Sequence, residues 1–279
     1  MSTAVAGTVR EALASAAAAL EAAGVETPRL DAELLLGAAT GSDRATLAAD
    51  PDRGVNAAAG RRFGQMVRRR VAREPVAYIL GRRGFRRIEL AVDPRVLVPR
   101  PDTELLVEVA VALAPRMVLD VGTGSGAVAL ALADELPVAA IVATDTSGAA
   151  LDVARDNVAR LGHGDRVRLE LGSVPPGTRV DLVVANLPYV AEAEWRGLAP
   201  EITRHEPRGA LVSGPTGLEE IDSVLAAVAA DQESCRAVAL EVGAGQAPAV
   251  AGLVRRAGFE RVETHRDLGG IERVVSGRR

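Results

Sequence analysis

One ten-residue stretch, MVLDVGTGSG at 117–126, constrains this chain more than any other. Apolar Val118 and Leu119 lead to Asp120, and three glycines, Gly122, Gly124 and Gly126, then fall within five residues. That pattern predicts a strand running into a turn whose backbone must approach something closely. The apolar run 127–132 reads as a helix directly behind it, so the last amides of the turn point out of a helix N-terminus. A cofactor is expected there. Gly122, Gly124 and Ala127 also satisfy G-x-G-x-x-G/A, and Asp145 lies about twenty residues on, where a ribose-binding acid belongs. On this motif alone a nicotinamide enzyme stays open.

The third glycine and the acid just before the turn point elsewhere. A compact D-x-G-x-G-x-G turn resembles that of the S-adenosylmethionine-dependent methyltransferases. The resemblance implies that Asp120, Gly122, Thr123, Gly124, Ser125, Gly126 and Asp145 hold S-adenosyl-L-methionine and its product S-adenosyl-L-homocysteine. A turn that merely joins strand to helix seldom needs three glycines.

Whole-chain features exclude several chemistries. Cys235 is the only cysteine, and His163, His205 and His265 are scattered, so neither a disulfide framework nor metal-ligand spacing appears and no metal is expected. Every basic residue is arginine; without lysine there is no Schiff-base chemistry and no Walker-type phosphate loop. The net charge of -4 argues against stable, direct nucleic-acid binding. The Ala-rich stretch 1–24 is interrupted by Arg10, Glu11 and Glu21 and lacks both a basic leader and a continuous apolar run. A cytoplasmic protein with no membrane contact, monomeric, is expected.

At 279 residues there is room for two domains. Helical spacing of Val9, Leu13, Ala16, Ala17 and Leu20 ends at Gly24, and Thr27–Pro28 signals a second helix carrying Leu30, Leu34, Leu35 and Leu36. A third helical run over 56–73 has Phe63 and Met66 on one side and Arg61, Arg62, Arg68, Arg69, Arg70 and Arg73 on the other. That basic face is either an ordinary solvated surface or a steering surface for a macromolecular partner. Residues 1–80 are thus expected to form an all-helical domain for substrate recognition. Runs 85–90 and 91–98 alternate around Asp93–Pro94 like a β-hairpin, predicting a linker over 81–98. From about 99 a helix at 103–113 precedes the glycine turn. Strands at 140–145, 167–171, 181–186 and 237–242 then alternate with helices, predicting a mostly parallel sheet with helices on both faces. The last two strands, 261–265 and 272–276, are too close for a crossover helix, so the final strand must be antiparallel. That favours a seven-stranded α/β methyltransferase domain over 99–279 and counts against a nicotinamide domain.

A second constellation follows strand 181–185: Asn186, Leu187, Pro188, Tyr189. In open α/β sheets ligands sit outside the carboxyl ends of the strands, so this segment and the glycine turn should share one cleft. An Asn oxygen and a backbone carbonyl can accept both hydrogens of a planar amino group while an aromatic ring covers its face; a plain β-turn is the alternative. The segment resembles the N-P-P-Y motif of methyltransferases that modify planar nitrogens, with Leu187 in place of the first proline; leucine keeps the carbonyl and gives up some stiffness. The chain beyond about residue 27 is similar to the HemK/PrmC family, glutamine methyltransferases of peptide-chain release factors. Glu74, Pro75 through Gly81 and Phe85 look like that family's linker, PRPDTE at 99–104 its signature ahead of the cofactor turn, and Glu206, Pro207, Ala210 and Leu211 its later loop. DLGGIERVVSG at 267–277 has the family pattern as well.

The resemblance implies methyl transfer to the N5 amide nitrogen of a glutamine in the GGQ motif of a class 1 release factor. Asn186, Leu187, Pro188 and Tyr189 would be catalytic and substrate-binding, Arg100 and Thr103 substrate-binding, and Asn186 also cofactor-binding. Ser173 stands where the family commonly has an acid that holds the adenine. Another protein glutamine, an adenine N6 in nucleic acid, and a non-catalytic module that binds a translation factor remain as alternatives.

Overall fold

The computed structural model describes residues 5–230 and 235–279; the first four residues of the expected helical domain lie outside them. The chain separates into two compact units, Met1–Gly81 with Ala199–His205, and Arg82–Leu198 with Glu206–Arg279.

The first unit runs β1 (Val5–Thr8), α1 (Val9–Ala22), α2 (Pro28–Thr40), α3 (Arg44–Ala49), β2 (Gly54–Asn56), α4 (Ala57–Val71) and α5 (Val76–Leu80). It is not all-helical: β1 and β2 pair antiparallel. Thr8 and Glu11 form a reciprocal capping box at the start of α1, which stops the strand and starts the helix within one residue. Asn56 does the same for α4 by accepting from the Ala59 amide. Thr27, expected to cap α2, instead donates its hydroxyl to Asp31. The core is the apolar stripe of α1 (Val9, Leu13, Leu20) against Leu35 and Leu36 of α2 and Phe63 of α4, all buried.

The second unit begins with a hairpin, β3 (Arg82–Phe85) and β4 (Ile88–Ala91), and continues through α6 (Glu104–Ala112), β5 (Met117–Val121), α7 (Ala127–Glu135), β6 (Ala140–Asp145), α8 (Gly148–Leu161), β7 (Val167–Leu171) and β8 (Val180–Ala185). After α9 (Pro200–His205), which groups with the helical unit, come α10 (Glu219–Ala229), β9 (Cys235–Glu241), α11 (Ala247–Arg256), β10 (Arg261–Arg266) and β11 (Glu272–Arg278). The hairpin turns at Arg86–Arg87, not at Asp93–Pro94. Arg86 takes a left-handed φ of 51° and is held there by Glu104, Glu108 and Glu135. Asp93 makes a separate turn, accepting from Val96 N, beyond the end of β4.

Seven strands form one sheet in the order β10-β11-β9-β8-β5-β6-β7. β5 to β9 are mutually parallel, and β11 runs antiparallel to both its neighbours, as its short connection requires. α10 and α11 bury Ile221, Leu225, Val250 and Val254 with Leu119, Val183 and Leu240 of the sheet. α7 is buried on every side because it packs against α6, α8 and the sheet, which explains its unbroken apolar sequence. Successive strands step outward from β5 to β7, then the chain returns to the other side of β5 as β8. That reversal opens a crevice between the carboxyl ends of β5 and β8.

The arginine face of α4 is largely spent inside the helical unit. Arg70 is buried and donates to Asp31 Oδ2 at 2.7 Å while pairing with Glu201 of α9 at 2.8 Å. Arg73 pairs with Glu201 at 2.6 Å and caps the carbonyls of Ala23 and Gly24. Arg69 is bound to Glu74. These three are structural ties and not part of a free basic surface.

Candidate active site

The reversal between β5 and β8 predicts a ligand crevice, and a cavity of about 340 Å³ opens there. Gly122, Gly124, Asp145, Ser173, Asn186, Leu187 and Pro188 line it, together with 95–97, Thr146, Ser147 and Pro207. Asp120, Thr123, Ser125, Gly126, Arg100 and Thr103 do not line it, and Tyr189 lines a separate cavity with Gly243 and Gln246.

All three glycines of the turn have left-handed backbone, φ 75° at Gly122, 57° at Gly124 and 83° at Gly126, a conformation that L side chains resist. At Gly122 a Cβ would also lie 3.1 Å from Leu187 Cδ2, so the turn and the Asn186 loop pack directly on each other. At Gly124 a Cβ would meet open space, which leaves the wall of the cavity bare backbone.

Asp120 does not face the cavity. It is 1% exposed on the central strand, and its Oδ2 accepts from Thr123 Oγ1 at 2.7 Å and from Ala129 N at 3.2 Å. Burial pushes its pKa up to about 7 against those two hydrogen bonds. Asp120 and the buried Thr123 therefore brace the turn and the first turn of α7. Ser125 is buried as well, its carbonyl bound by Asn157 Nδ2 at 2.9 Å. Asn157, fully buried on α8, also exchanges hydrogen bonds with both backbone groups of Ala91. A lone asparagine in an amphipathic helix gave no sign of this role.

Asp145 ends β6, and each of its oxygens accepts one backbone amide, Gly124 N at 2.9 Å and Ser147 N at 2.8 Å. A carboxylate offers about four acceptor positions, so both oxygens retain capacity toward the cavity. Ser173 lies on the cavity wall beyond β7, after Gly172, whose φ of 132° turns the chain.

Across the crevice, Asn186 donates from Nδ2 to Thr103 Oγ1 at 3.0 Å. Thr103 is 3% exposed, and its hydroxyl favours the charged form of the carboxyl of Glu241, the last residue of β9. Glu241 is buried, and its Oε2 has no hydrogen-bond partner. Burial, first, and Asp102, second, push its pKa up to about 7, opposed by Thr103, Arg273 and Arg100. Leu187 is buried against the glycine turn, and Pro188 lines the cavity. The Tyr189 carbonyl accepts from Gln246 Nε2 at 2.9 Å, and Gln246 Oε1 in turn accepts from Gly243 N. Burial, helped by the nearby Glu241 charge, lifts the Tyr189 phenol to about 12, so it stays protonated. Arg100 does not line the cavity; it pairs with both oxygens of buried Glu206 at 2.7 and 2.8 Å and fixes the PRPDTE segment to the Glu206–Pro207 loop.

Gly124 bare on the wall, a carboxylate at the end of β6 and a polar Ser173 opposite make a cradle that fits a nucleoside with free hydroxyls. Asn186 at the mouth of the same cavity suits a planar nitrogen. Among the described residues no group of three or more His, Cys, Asp or Glu could hold a metal ion.

Residues 11–81 match the PrmC N-terminal domain, and residues 118–209 match a methyltransferase domain. A release factor glutamine methyltransferase of Geobacter sulfurreducens is 41% identical over 276 residues, 97% of this chain and 96% of the relative. One of Moorella thermoacetica is 43% identical over 266 residues, 92% of this chain and 93% of the relative. Among solved structures, the catalytic domain of hMettl16 in complex with an RNA hairpin superposes with a TM-score of 0.57 at 16% identity, over 68% of this chain and 75% of that one. A Pyrococcus furiosus methyltransferase does so at 0.50, also at 16%, over 68% and 87%. At such identity these structures share the fold. A nicotinamide domain is thereby set aside in favour of a methyltransferase domain.

Proposed function

The chain belongs to the family of release factor glutamine methyltransferases, and from that membership we propose that it methylates the N5 amide nitrogen of a glutamine in the GGQ motif of a class 1 release factor, with S-adenosyl-L-methionine as donor. The observation that carries this reading is the Asn186 amide at the edge of the cavity whose other wall is the glycine turn. The bound donor supplies a methyl group on a sulfonium, which needs no activating base. Gly122, Gly124, Asp145 and Ser173 would hold it: the glycines by close backbone approach, Asp145 by accepting from the ribose hydroxyls, Ser173 beside the adenine. Asp120, Thr123, Ser125 and Gly126 would act on it through the shape of the turn.

A glutamine amide is a poor nucleophile because its lone pair is delocalised, as the roughly 18–20 kcal/mol barrier to amide rotation shows. The site must therefore aim the nitrogen. With Nδ2 committed to Thr103, Asn186 presents Oδ1 to one amide hydrogen, and the Leu187 carbonyl would take the other. Both acceptors stabilise the positive charge that develops on nitrogen during transfer. Tyr189, kept neutral, would pack on the side chain and keep water out. Leucine in place of proline at 187 leaves the carbonyl in place, and its side chain is stiffened by burial against Gly122. Arg100 would serve the substrate through the loop it fixes. No helix among the described residues is long and apolar enough to cross a membrane; methylation of a release factor would take place in the cytoplasm.

Asn186→Ala tests the reading. Methyl transfer to purified release factor should fall by about 10²–10³, or roughly 3–4 kcal/mol, while calorimetry shows donor affinity within about twofold of wild type. A variant that binds donor and transfers at the wild-type rate would make Asn186 a turn residue only. Ribosomal proteins and RNA assayed beside the release factor distinguish the other acceptors, neither of which the relatives' names favour.

A further inference from the structure

We propose that Thr103 and buried Glu241 are positioning residues that set which end of the Asn186 amide faces the substrate. This rests on the glutamine-amide reading above. Asn186 Nδ2 donates to Thr103 Oγ1 at 3.0 Å, and the Thr103 hydroxyl favours the charged form of the buried Glu241 carboxyl more than any other group does. A hydroxyl has one hydrogen. An ionised carboxylate only accepts, so that hydrogen belongs to Glu241 and the lone pairs of Oγ1 are left for Asn186. The amide must then offer Nδ2 to Thr103 and turn Oδ1 to the cavity.

Without the carboxylate, nothing fixes the direction of the chain. The Thr103 hydroxyl could equally donate to Oδ1, and Asn186 would present its NH₂ to the NH₂ of the incoming glutamine, two donors face to face. The three residues come from three separate places, the PRPDTE segment, the end of β8 and the end of β9. Glu241 Oε2 is buried without a partner, an arrangement that a merely structural acid at a strand end would avoid by reaching water. The charges facing Glu241 are Asp102 beside Thr103, Arg100 before it and Arg273 of β11, and the Tyr189 phenol feels the Glu241 charge as well. Arg273 is itself shared between Asp102 and Asp267, and Arg100 is held by Glu206, so neither arginine closes a hydrogen bond on Glu241.

The test compares methyl transfer to purified release factor, with S-adenosylmethionine affinity measured by calorimetry, for Thr103→Val, Thr103→Ser, Glu241→Gln, Asn186→Ala and the double variant Thr103→Val/Asn186→Ala. Thr103→Val should lose about 10- to 100-fold in kcat, the usual effect of removing a residue that orients a site group, with KM and donor affinity within about twofold. Thr103→Ser, which keeps the hydroxyl, should recover most of the rate, and the double variant should be no slower than Asn186→Ala. The wild-type kcat should fall on the acid side with a midpoint near the pKa of about 7 at Glu241, and Glu241→Gln should be slow without that acid limb. The proposal is overturned if Thr103→Val runs at the wild-type rate while Asn186→Ala is slow, if the two losses multiply in the double variant, or if Glu241→Gln keeps the acid limb. A fast Asn186→Ala would instead overturn the glutamine-amide reading itself.

Discussion

The glycine turn and the Asn186–Tyr189 loop stand at the carboxyl ends of adjacent strands, yet they are held in different ways. The turn is braced mostly from within its own βαβ unit, Asp120 on Thr123 and Ala129 and Asp145 on Gly124, with Asn157 of the next helix on the Ser125 carbonyl. The loop is braced by side chains far along the chain, Thr103 on Asn186 and Gln246 on Tyr189, with Glu241 behind Thr103. A wall built from local contacts is complete as soon as its βαβ unit forms. A wall built from remote contacts is complete only when the whole sheet has closed, and its anchors must be buried where they would rather not be. The donor side of the site is therefore stable by construction, and the acceptor side carries a cost.

That cost can be measured at Glu241. The carboxyl is raised from 4.5 to about 7 in the fold, so between those values the unfolded chain is ionised while the native state keeps its proton, and stability falls as pH rises. The loss is complete above about 7 and absent below 4.5. Glu241→Gln cannot titrate, so chemical denaturation at pH 8 should find it more stable than wild type by about 3 kcal/mol, a margin that closes toward pH 4.5. Equal stabilities at pH 8 would mean that the loop's anchor is no more costly than those of the turn. Smaller, and on the other wall, is Asp145→Ala. Donor affinity should weaken by about 2 kcal/mol through lost charge-assisted hydrogen bonds, with kcat at saturating donor nearly unchanged; a loss in kcat instead would erase the separation between the two walls. The smallest effect belongs to Gln246→Ala, which frees the Tyr189 carbonyl and the Gly243 amide. It should lower kcat by about 1 kcal/mol and leave calorimetric donor affinity alone.

The same contrast governs what could be read from the sequence. Three left-handed glycines beside an acid leave a mark because no other residue tolerates those positions, and the closing antiparallel strand follows from a connection too short for a helix. Asn186 to Pro188 could be placed at the crevice because they are consecutive residues at a strand end, whereas Tyr189 lines a separate cavity. Thr103 was legible only through family resemblance, and Glu241, Gln246 and Asn157 not at all: each is a single polar residue with no local pattern around it, and a partner lies dozens of positions away. The misplaced hairpin turn has a different cause. Asp93–Pro94 is the stronger local signal, but Arg86 is forced into its left-handed conformation by three glutamates that only the folded unit brings together. The β1–β2 pair and the short helices α3 and α5 were too brief for periodicity to declare.

The segment Ala199–His205 has a consequence for how such a protein can be recombined. Glu201 on that segment completes the ion pairs of Arg70 and Arg73 within the helical unit, although it lies more than a hundred residues downstream of them. A chimera that joined residues 1–81 of one relative to 82–279 of another would therefore inherit a foreign sixth helix and leave Arg70 buried without its second carboxylate wherever that helix lacks an acid at the place of Glu201. The exchangeable module is discontinuous. It consists of the N-terminal residues together with a seven-residue graft inside the loop that follows Tyr189, and any transplant of the helical unit has to carry both.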